Sequence, residues 1–324
     1  MKHLDLQVAE QALAWLRAGS KVWLCTVVAT YGSAPREPGS MFATLASGRS
    51  VGSLSGGCVE EDFLERVADG QFNTGNQLVR YGEGGLAPTL ALPCGGVLEV
   101  LVEPVEPDMY AIAHLLSVVS ALRGKDAITR CIGLGGNTRT LETIDASSGR
   151  VTVSDERVCI YVGPSKRLLV AGLSPVAEYC IELGLMLGYE VVVCDPREEL
   201  IRPATFKWPQ LQVLQMLPAV FIENGGCHVA TAVVALTHDP RLDDLTMMAA
   251  LLSDAFYIGA MGSKRTSERR RERIARIGQF SKEQLLRVNA PIGLALGSKT
   301  PAEIAMAVMA DVIRSGNGVA RTEL

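Results

Sequence analysis

The stretch Ser55-Gly56-Gly57-Cys58-Val59-Glu60-Glu61 sets a cysteine where two glycines end and a helical pattern begins. A helix start carries free N–H groups and partial positive charge, so it favours an anion. A thiol placed there ionises more readily and becomes a better nucleophile or soft ligand. The glycines let a ligand approach the backbone closely. Glu60 and Glu61 oppose a thiolate at Cys58, and a buried turn cysteine is the alternative reading. About twenty residues earlier, Thr30 to Met41 forms a loop rich in turn residues with one arginine, Arg36, between two prolines. A guanidinium suits phosphate or carboxylate; the alternative is an ion pair with Glu37 or another acid. Pro93-Cys94-Gly95-Gly96 again joins cysteine to glycine, just before the strand-like run Val97 to Val102.

The elements that must position these residues read as follows. A helix runs from about Asp5 to Ala18, then strands over Val22–Thr30 and Met41–Leu45, and a helix over Cys58–Ala68. Strands over Gln77–Tyr81 and Val97–Val105 follow, then a helix over Asp108–Leu122 and strands over Ala127–Leu134, Thr138–Ile144 and Val158–Val162. Gly163-Pro164-Ser165-Lys166 reads as a linker. Beyond it, strand Arg167–Ala171 enters the turn Gly172-Leu173-Ser174-Pro175, a helix, and strand Glu190–Cys194 ending at Asp195. This is the outline of a Rossmann unit, with Asp195 placed to hold a ribose hydroxyl. Ser174 stands where the usual pattern has its middle glycine, and Ser174 and Pro175 suit the cap and first turn of the helix.

Further strands over His228–Leu236 and Ala255–Ala260 end at His238-Asp239 and at Gly262-Ser263, followed by a basic helix. In open α/β sheets, ligands bind beyond such strand ends. The run Arg269-Arg270-Arg271 reads as a solvated face, and Thr300-Pro301-Ala302-Glu303 as a capping box for a last helix. The fold class is therefore α/β, with an N-terminal α+β domain over 1–163 and a Rossmann-like, doubly wound parallel-sheet domain over 164–324.

Composition narrows the function. A net charge of -4 speaks against nucleic acid as a partner. No apolar run approaches the roughly 20 residues that span a bilayer, and charged residues interrupt the first apolar stretch, so neither membrane insertion nor a secretory leader is expected. The eight cysteines are scattered without a CxxC pair. That argues against structural zinc, suits core packing for Cys25 and Cys194, and fits a reducing cytoplasm.

Together the motifs resemble the XdhC/CoxI family. Gly32-Ser33-Ala34-Pro35-Arg36 and Gly52 to Glu60 carry the likeness in the first half. Asp195-Pro196-Arg197-Glu198, Thr237-His238-Asp239, Tyr257 to Thr266 and Ala290 to Leu294 carry it in the second. The resemblance implies a maturation chaperone, not an enzyme with turnover of its own. Such a chaperone binds the molybdenum cofactor, in a molybdopterin or cytosine dinucleotide form, protects it during sulfuration and inserts it into a hydroxylase such as xanthine dehydrogenase or aldehyde oxidase. It implies an apo molybdenum hydroxylase and a cysteine desulfurase as partners, with a homodimer among the open assemblies. The expected cofactor contacts are Arg36, Ser55, Gly56, Gly57, Cys58, Cys94, Gly172, Ser174, Asp195, His238, Asp239, Gly262 and Ser263, with Cys58 the contact to molybdenum or its sulfido ligand. The competing reading is an NAD(P)-dependent oxidoreductase built on the Rossmann half.

Overall fold

A computed structural model describes residues 4–31, 36–57, 59–86, 96–125, 127–142, 150–201 and 211–321. The chain divides into two compact units, Leu4–Pro164 and Ser165–Leu324. Among the described residues, no helix is long and apolar enough to cross a membrane.

The N-terminal unit opens with α1 (Leu4–Arg17), β1 (Val22–Tyr31), β2 (Met41–Thr44), β3 (Ser50–Gly52), α2 (Glu60–Ala68), β4 (Gln77–Tyr81), β5 (Val97–Val105) and α3 (Met109–Leu122). It closes with β6 (Ile128–Gly133), β7 (Arg139–Glu142), β8 (Val151–Val153) and β9 (Arg157–Val162). Among the described residues the first five strands form one antiparallel sheet, ordered β3-β2-β1-β5-β4, and the last four a second, ordered β7-β6-β9-β8. The period of two along β1 sorts its side chains onto two faces. Val22 and Leu24 join the core under α1 and α3, whereas Trp23, Cys25 and Val27 join the core under α2. The first sheet is therefore buried on both faces. Asp108 caps α3 by accepting from the Ala111 N–H at 2.7 Å.

The C-terminal unit runs β10 (Arg167–Ala171), α4 (Pro175–Met186), β11 (Glu190–Cys194), α5 (Glu198–Ile201), β12 (Gln212–Leu214), α6 (Pro218–Phe221), β13 (Thr231–Ala235) and α7 (Pro240–Leu251). Then come β14 (Tyr257–Ala260), α8 (Lys264–Gly278), α9 (Lys282–Leu286), β15 (Val288–Asn289) and α10 (Pro301–Gly316). Its strands form one sheet, ordered β12-β11-β10-β13-β14-β15, with every pairing parallel. This is the doubly wound order, with its switch point between β10 and β13. Leu168 and Val170 pack with α4 and α10, while Leu169 and Ala171 pack with α7. A strand covered on both sides must be apolar throughout, as these are.

Three expectations change. The run Arg269-Arg270-Arg271 is not a solvated face. Arg270 is fully buried and donates to Asp243 at 3.0 Å, Asp244 at 3.0 Å and the Met261 carbonyl at 2.9 Å. Successive helical residues turn by about 100°, so a run of three puts one toward the core. The cysteines, expected to suit a reducing compartment, include a bonded pair. Cys131 and Cys159 stand opposite each other in β6 and β9 and form a disulfide. The second helix starts at Glu60, not at position 58. Cys25 and Cys194 do pack in the core, where burial pushes both thiols up, Cys194 to about 12.

Candidate functional site

The register of the first sheet sends two sequence motifs out from one end and a third out in the same direction from lower in the sheet. Tyr31, the last residue of β1, pairs with Val97, the first of β5. Tyr81, the last of β4, pairs with Leu98, and Gly52, the last of β3, pairs with Phe42 near the start of β2. The Arg36 loop and the β4–β5 connection therefore leave from this end; Phe42 pairs with Cys25, and Cys25 with Val102 opposite Gln77, so the loop that begins at Ser53 leaves in the same direction from the level where β4 starts. Cys58 and Cys94 themselves lie outside the described residues.

The loop after β3 closes around Glu60. Its Oε1 accepts from Ser53 Oγ at 2.7 Å, Leu54 N at 2.9 Å and Ser55 N at 3.0 Å. Its Oε2 accepts from Ser55 Oγ at 2.7 Å, Gly57 N at 3.0 Å and Val59 N at 3.2 Å. Burial alone would push this carboxyl up, but the hydroxyls of Ser53 and Ser55 and the amides of Ser55 and Leu54 outweigh it and hold it at about 2. The anion at these N–H groups is thus the protein's own carboxylate. Gly56 and Gly57 adopt positive φ, 82° and 117°, which turns their amides inward. Around Gly57 a Cβ would meet open space, so the outer side of the turn is accessible. Glu60 is a site residue that motif reading missed. Its signal was a glutamate at the first helical position after a polar turn.

Glu60 predicts an acid-sensitive turn. The native carboxyl at about 2 lies below its ordinary 4.5, so its stabilisation is complete above 4.5 and is lost as pH falls toward 2. Glu60→Ala, which strands several donors, should cost about 1–3 kcal/mol at neutral pH. Urea unfolding of both forms checks this: the difference should shrink steadily below pH 4.5 and be absent near 2.

Arg36 pairs with Asp5 at 3.5 Å, not with Glu37, and its Nε has no partner among the described residues. Asp5 is nearly buried and also accepts from the Met41 N–H at 2.8 Å, the first residue of β2. The guanidinium is thereby tied to the strand start with a donor to spare.

At the opposite end of this sheet, where β5 finishes, a cleft of about 580 Å³ is lined by Glu106, Tyr110, His114, Asn137 and Arg139 among others. It contains none of the residues expected from the sequence. Behind it, Arg130 donates to both oxygens of the fully buried Glu103, at 2.8 and 3.0 Å, and through Nε to His114 Nε2 at 2.9 Å. Burial, then the Arg130 and Arg139 charges, push the imidazole down to about 3, so it is neutral near pH 7.

In the second unit, Gly172, Ser174, Asp195, His238, Asp239, Gly262 and Ser263 all fall at the carboxyl ends of parallel strands. Ser174 caps α4, accepting from the Ala177 N–H at 3.2 Å. Asp239 and Ser263 cap α7 and α8. His238 sits in the left-handed region at φ 65°. The first glycine turn is filled. A Cβ on Gly172 would lie 1.8 Å from Thr237 Cγ2 and 3.5 Å from Arg197 Nη2.

Asp195 is fully buried. Its Oδ1 accepts from the backbone N and Nε of Arg197, both at 2.9 Å, and its Oδ2 from Leu173 N and Arg197 Nη2, both at 2.6 Å. Burial pushes this carboxyl up, and the Arg197 side chain and the Leu173 amide more than reverse it. Both oxygens are thus engaged within the chain, at the position where the sequence reading has Asp195 hold a ribose hydroxyl. Arg197 is the residue missed here, although the sequence places it two positions after the acid.

The chain thus joins an antiparallel α+β unit to a doubly wound, Rossmann-type unit whose first turn is closed by its own arginine. A model described as the XdhC and CoxI family matches residues 15–82, and one described as the XdhC Rossmann domain matches residues 168–312. The chain belongs to the XdhC and CoxI family. It is 26% identical over 309 residues to the molybdenum cofactor insertion chaperone PaoD of Escherichia coli, covering 93% of this chain and 85% of PaoD. It is 25% identical over 320 residues to a protein of Bacillus subtilis described as a probable xanthine dehydrogenase component, covering 92% of this chain and 94% of that one. A crystal structure from Bacillus halodurans, described as a xanthine dehydrogenase, superposes with a TM-score of 0.71 at 22% identity, covering 100% of this chain and 98% of that one. This last likeness bears on the fold.

Proposed function

We propose that the chain is a maturation chaperone that binds the molybdenum cofactor as cargo, shields it while its terminal sulfido ligand is installed, and inserts it into a molybdenum hydroxylase such as xanthine dehydrogenase. The carrying observation is that the Arg36 loop and the β4–β5 connection leave from one end of the first sheet, with the Ser53–Val59 turn leaving in the same direction beside them. Soft thiolates suit molybdenum and dithiolene sulfur, and the two connections contain Cys58 and Cys94 in sequence. Arg36, anchored by Asp5, suits the cofactor's phosphate. A few contacts on an open turn let cargo leave again. The oxidoreductase alternative is set aside, because Arg197 and Thr237 fill the glycine turn and Asp195 is spent.

The finer reading has the cytosine dinucleotide form as cargo, an aldehyde oxidase as an alternative target, a cysteine desulfurase as the sulfur donor, a homodimer as the working assembly and the cytoplasm as its place. The test is anaerobic purification after co-expression with the cofactor pathway, followed by molybdenum analysis and mass spectrometry of the released pterin. The wild type should retain both molybdenum and pterin, and Cys58→Ala should retain less of the sulfurated form. Retention of NAD(P) with hydride transfer and no pterin would refute the proposal.

A further inference from the structure

The C-terminal unit carries a second place for an anion. Helix α8 begins at Lys264 directly after Gly262 and Ser263, at the carboxyl end of β14. Its first-turn amides have no intrahelical carbonyl to meet. Ser263 Oγ takes one, the Thr266 N–H at 3.2 Å, and leaves those of Lys264 and Arg265. The same turn holds two cations and no acid. Cations at a helix start run against the helix dipole, so something negative is wanted there. Among the described residues, neither Lys264 nor Arg265 has a carboxylate partner, whereas Arg270 and Arg273 further along are paired with Asp243 and Asp244.

A separate observation points into the same turn. Ser267 is fully buried, and its hydroxyl has no hydrogen-bond partner among the described residues. Its Oγ lies 3.6 Å from where a Cβ on Gly262 would stand, so it faces the turn backbone across the space left by the missing side chain. A buried hydroxyl without a partner is costly unless a ligand or water completes it. The turn is also fixed in place, since Arg270 Nη1 donates to the Met261 carbonyl at 2.9 Å, one residue before Gly262.

We propose that the β14–α8 turn, Gly262 to Ser267, binds a phosphoryl group. The Lys264 and Arg265 amides and side chains face the phosphate oxygens, and the Ser267 hydroxyl completes the floor. The Rossmann unit thus holds its anion one strand beyond β13, away from the glycine turn that Arg197 closes. That this phosphate is the cofactor's own pyrophosphate rests on the function proposed above; the site does not.

Calorimetric titration of the full chain with inorganic pyrophosphate tests it. The wild type should bind. Lys264→Ala with Arg265→Ala should weaken binding by about tenfold or more, the loss expected for charge-assisted contacts. Ser267→Ala, which removes only an unpaired hydroxyl and should fold normally, should weaken it by roughly threefold. Cytidine and adenosine diphosphates distinguish the source. Equal affinity for both assigns recognition to phosphate alone, and tighter cytidine diphosphate assigns it to a cytosine nucleotide; either result supports the site. No binding at millimolar pyrophosphate, or equal affinity in wild type and double variant, overturns it. Failure here with cofactor retained removes this site and leaves the chaperone reading standing. Pyrophosphate binding without cofactor retention does the reverse.

Discussion

Arg270→Met should destabilise the C-terminal unit by about 3–5 kcal/mol, the usual result of leaving buried charge without its partner. Arg270 is the only contact from α8 that reaches Asp243, Asp244 and the Met261 carbonyl together among the described residues. Asp243 is fully buried and also accepts from Thr237 Oγ1 at 2.7 Å, so the network ties α7 and α8 to the turns after β13 and β14. Burial already pushes the Asp243 carboxyl up with the guanidinium beside it. Without Arg270 it would take a proton, which caps the cost. Asp244 keeps Arg273 at 2.8 Å. For a unit of this size, the loss corresponds to a fall in Tm of roughly 10 °C. Arg270→Lys should recover only part, since an ammonium cannot reach three acceptors in a planar fork. A loss under about 1 kcal/mol for Arg270→Met would show that the network is not holding the turns.

Arg130→Met should have a comparable effect in the N-terminal unit, again about 3–5 kcal/mol. Glu103 is fully buried and, among the described residues, would keep only Arg139, at 3.1 Å. The double variant Arg130→Met with Glu103→Leu should regain much of the loss, because the buried charge then disappears with its partner. His114 supplies a pH signature. Its native value of about 3 lies below the ordinary 6.5, so the unfolded chain takes up a proton first and stability falls as pH drops from 6.5 toward 3. Removing the Arg130 charge lets the imidazole move up and narrows that window. Chemical denaturation of the single and double variants between pH 7 and 4 checks both the magnitude and the window. An unchanged pH slope in Arg130→Met would contradict the assignment.

The fold was legible where burial imposes a pattern. The strands Gln77–Tyr81, Val97–Val105, Arg167–Ala171 and Glu190–Cys194 lie where the apolar runs put them, because each sits in a sheet covered on at least one face. The strands Ser50–Gly52, Val151–Val153, Gln212–Leu214 and Val288–Asn289 escaped. Each is two or three residues long, too short to show a period, and exists only because a longer neighbour pairs with it. The caps at Ser174 and Thr300 were readable because capping is local chemistry.

What did not read was partnership at a distance. The Cys131–Cys159 disulfide depends on the register of two strands, and the burial of Arg270 depends on acids that precede it by 26 and 27 residues. At the candidate site, the sequence located the turns but not what fills them. Glu60 follows the Ser53–Val59 turn directly, and Arg197 stands two residues after the Asp195 that it holds, so both are local in sequence. Their direction, inward onto their own loops rather than out toward a ligand, is settled only by the folded backbone.

The most direct test of the central claim is transfer. The chain, purified anaerobically with its cargo, is mixed with the apo form of its molybdenum hydroxylase, and molybdenum in each protein is measured alongside hydroxylase activity. The account predicts that molybdenum leaves the chain, appears in the hydroxylase and brings activity with it, and that cargo-free chain activates nothing. Molybdenum that stays on the chain while the hydroxylase remains inactive, or a hydroxylase that gains full activity from free cofactor without the chain, would contradict it.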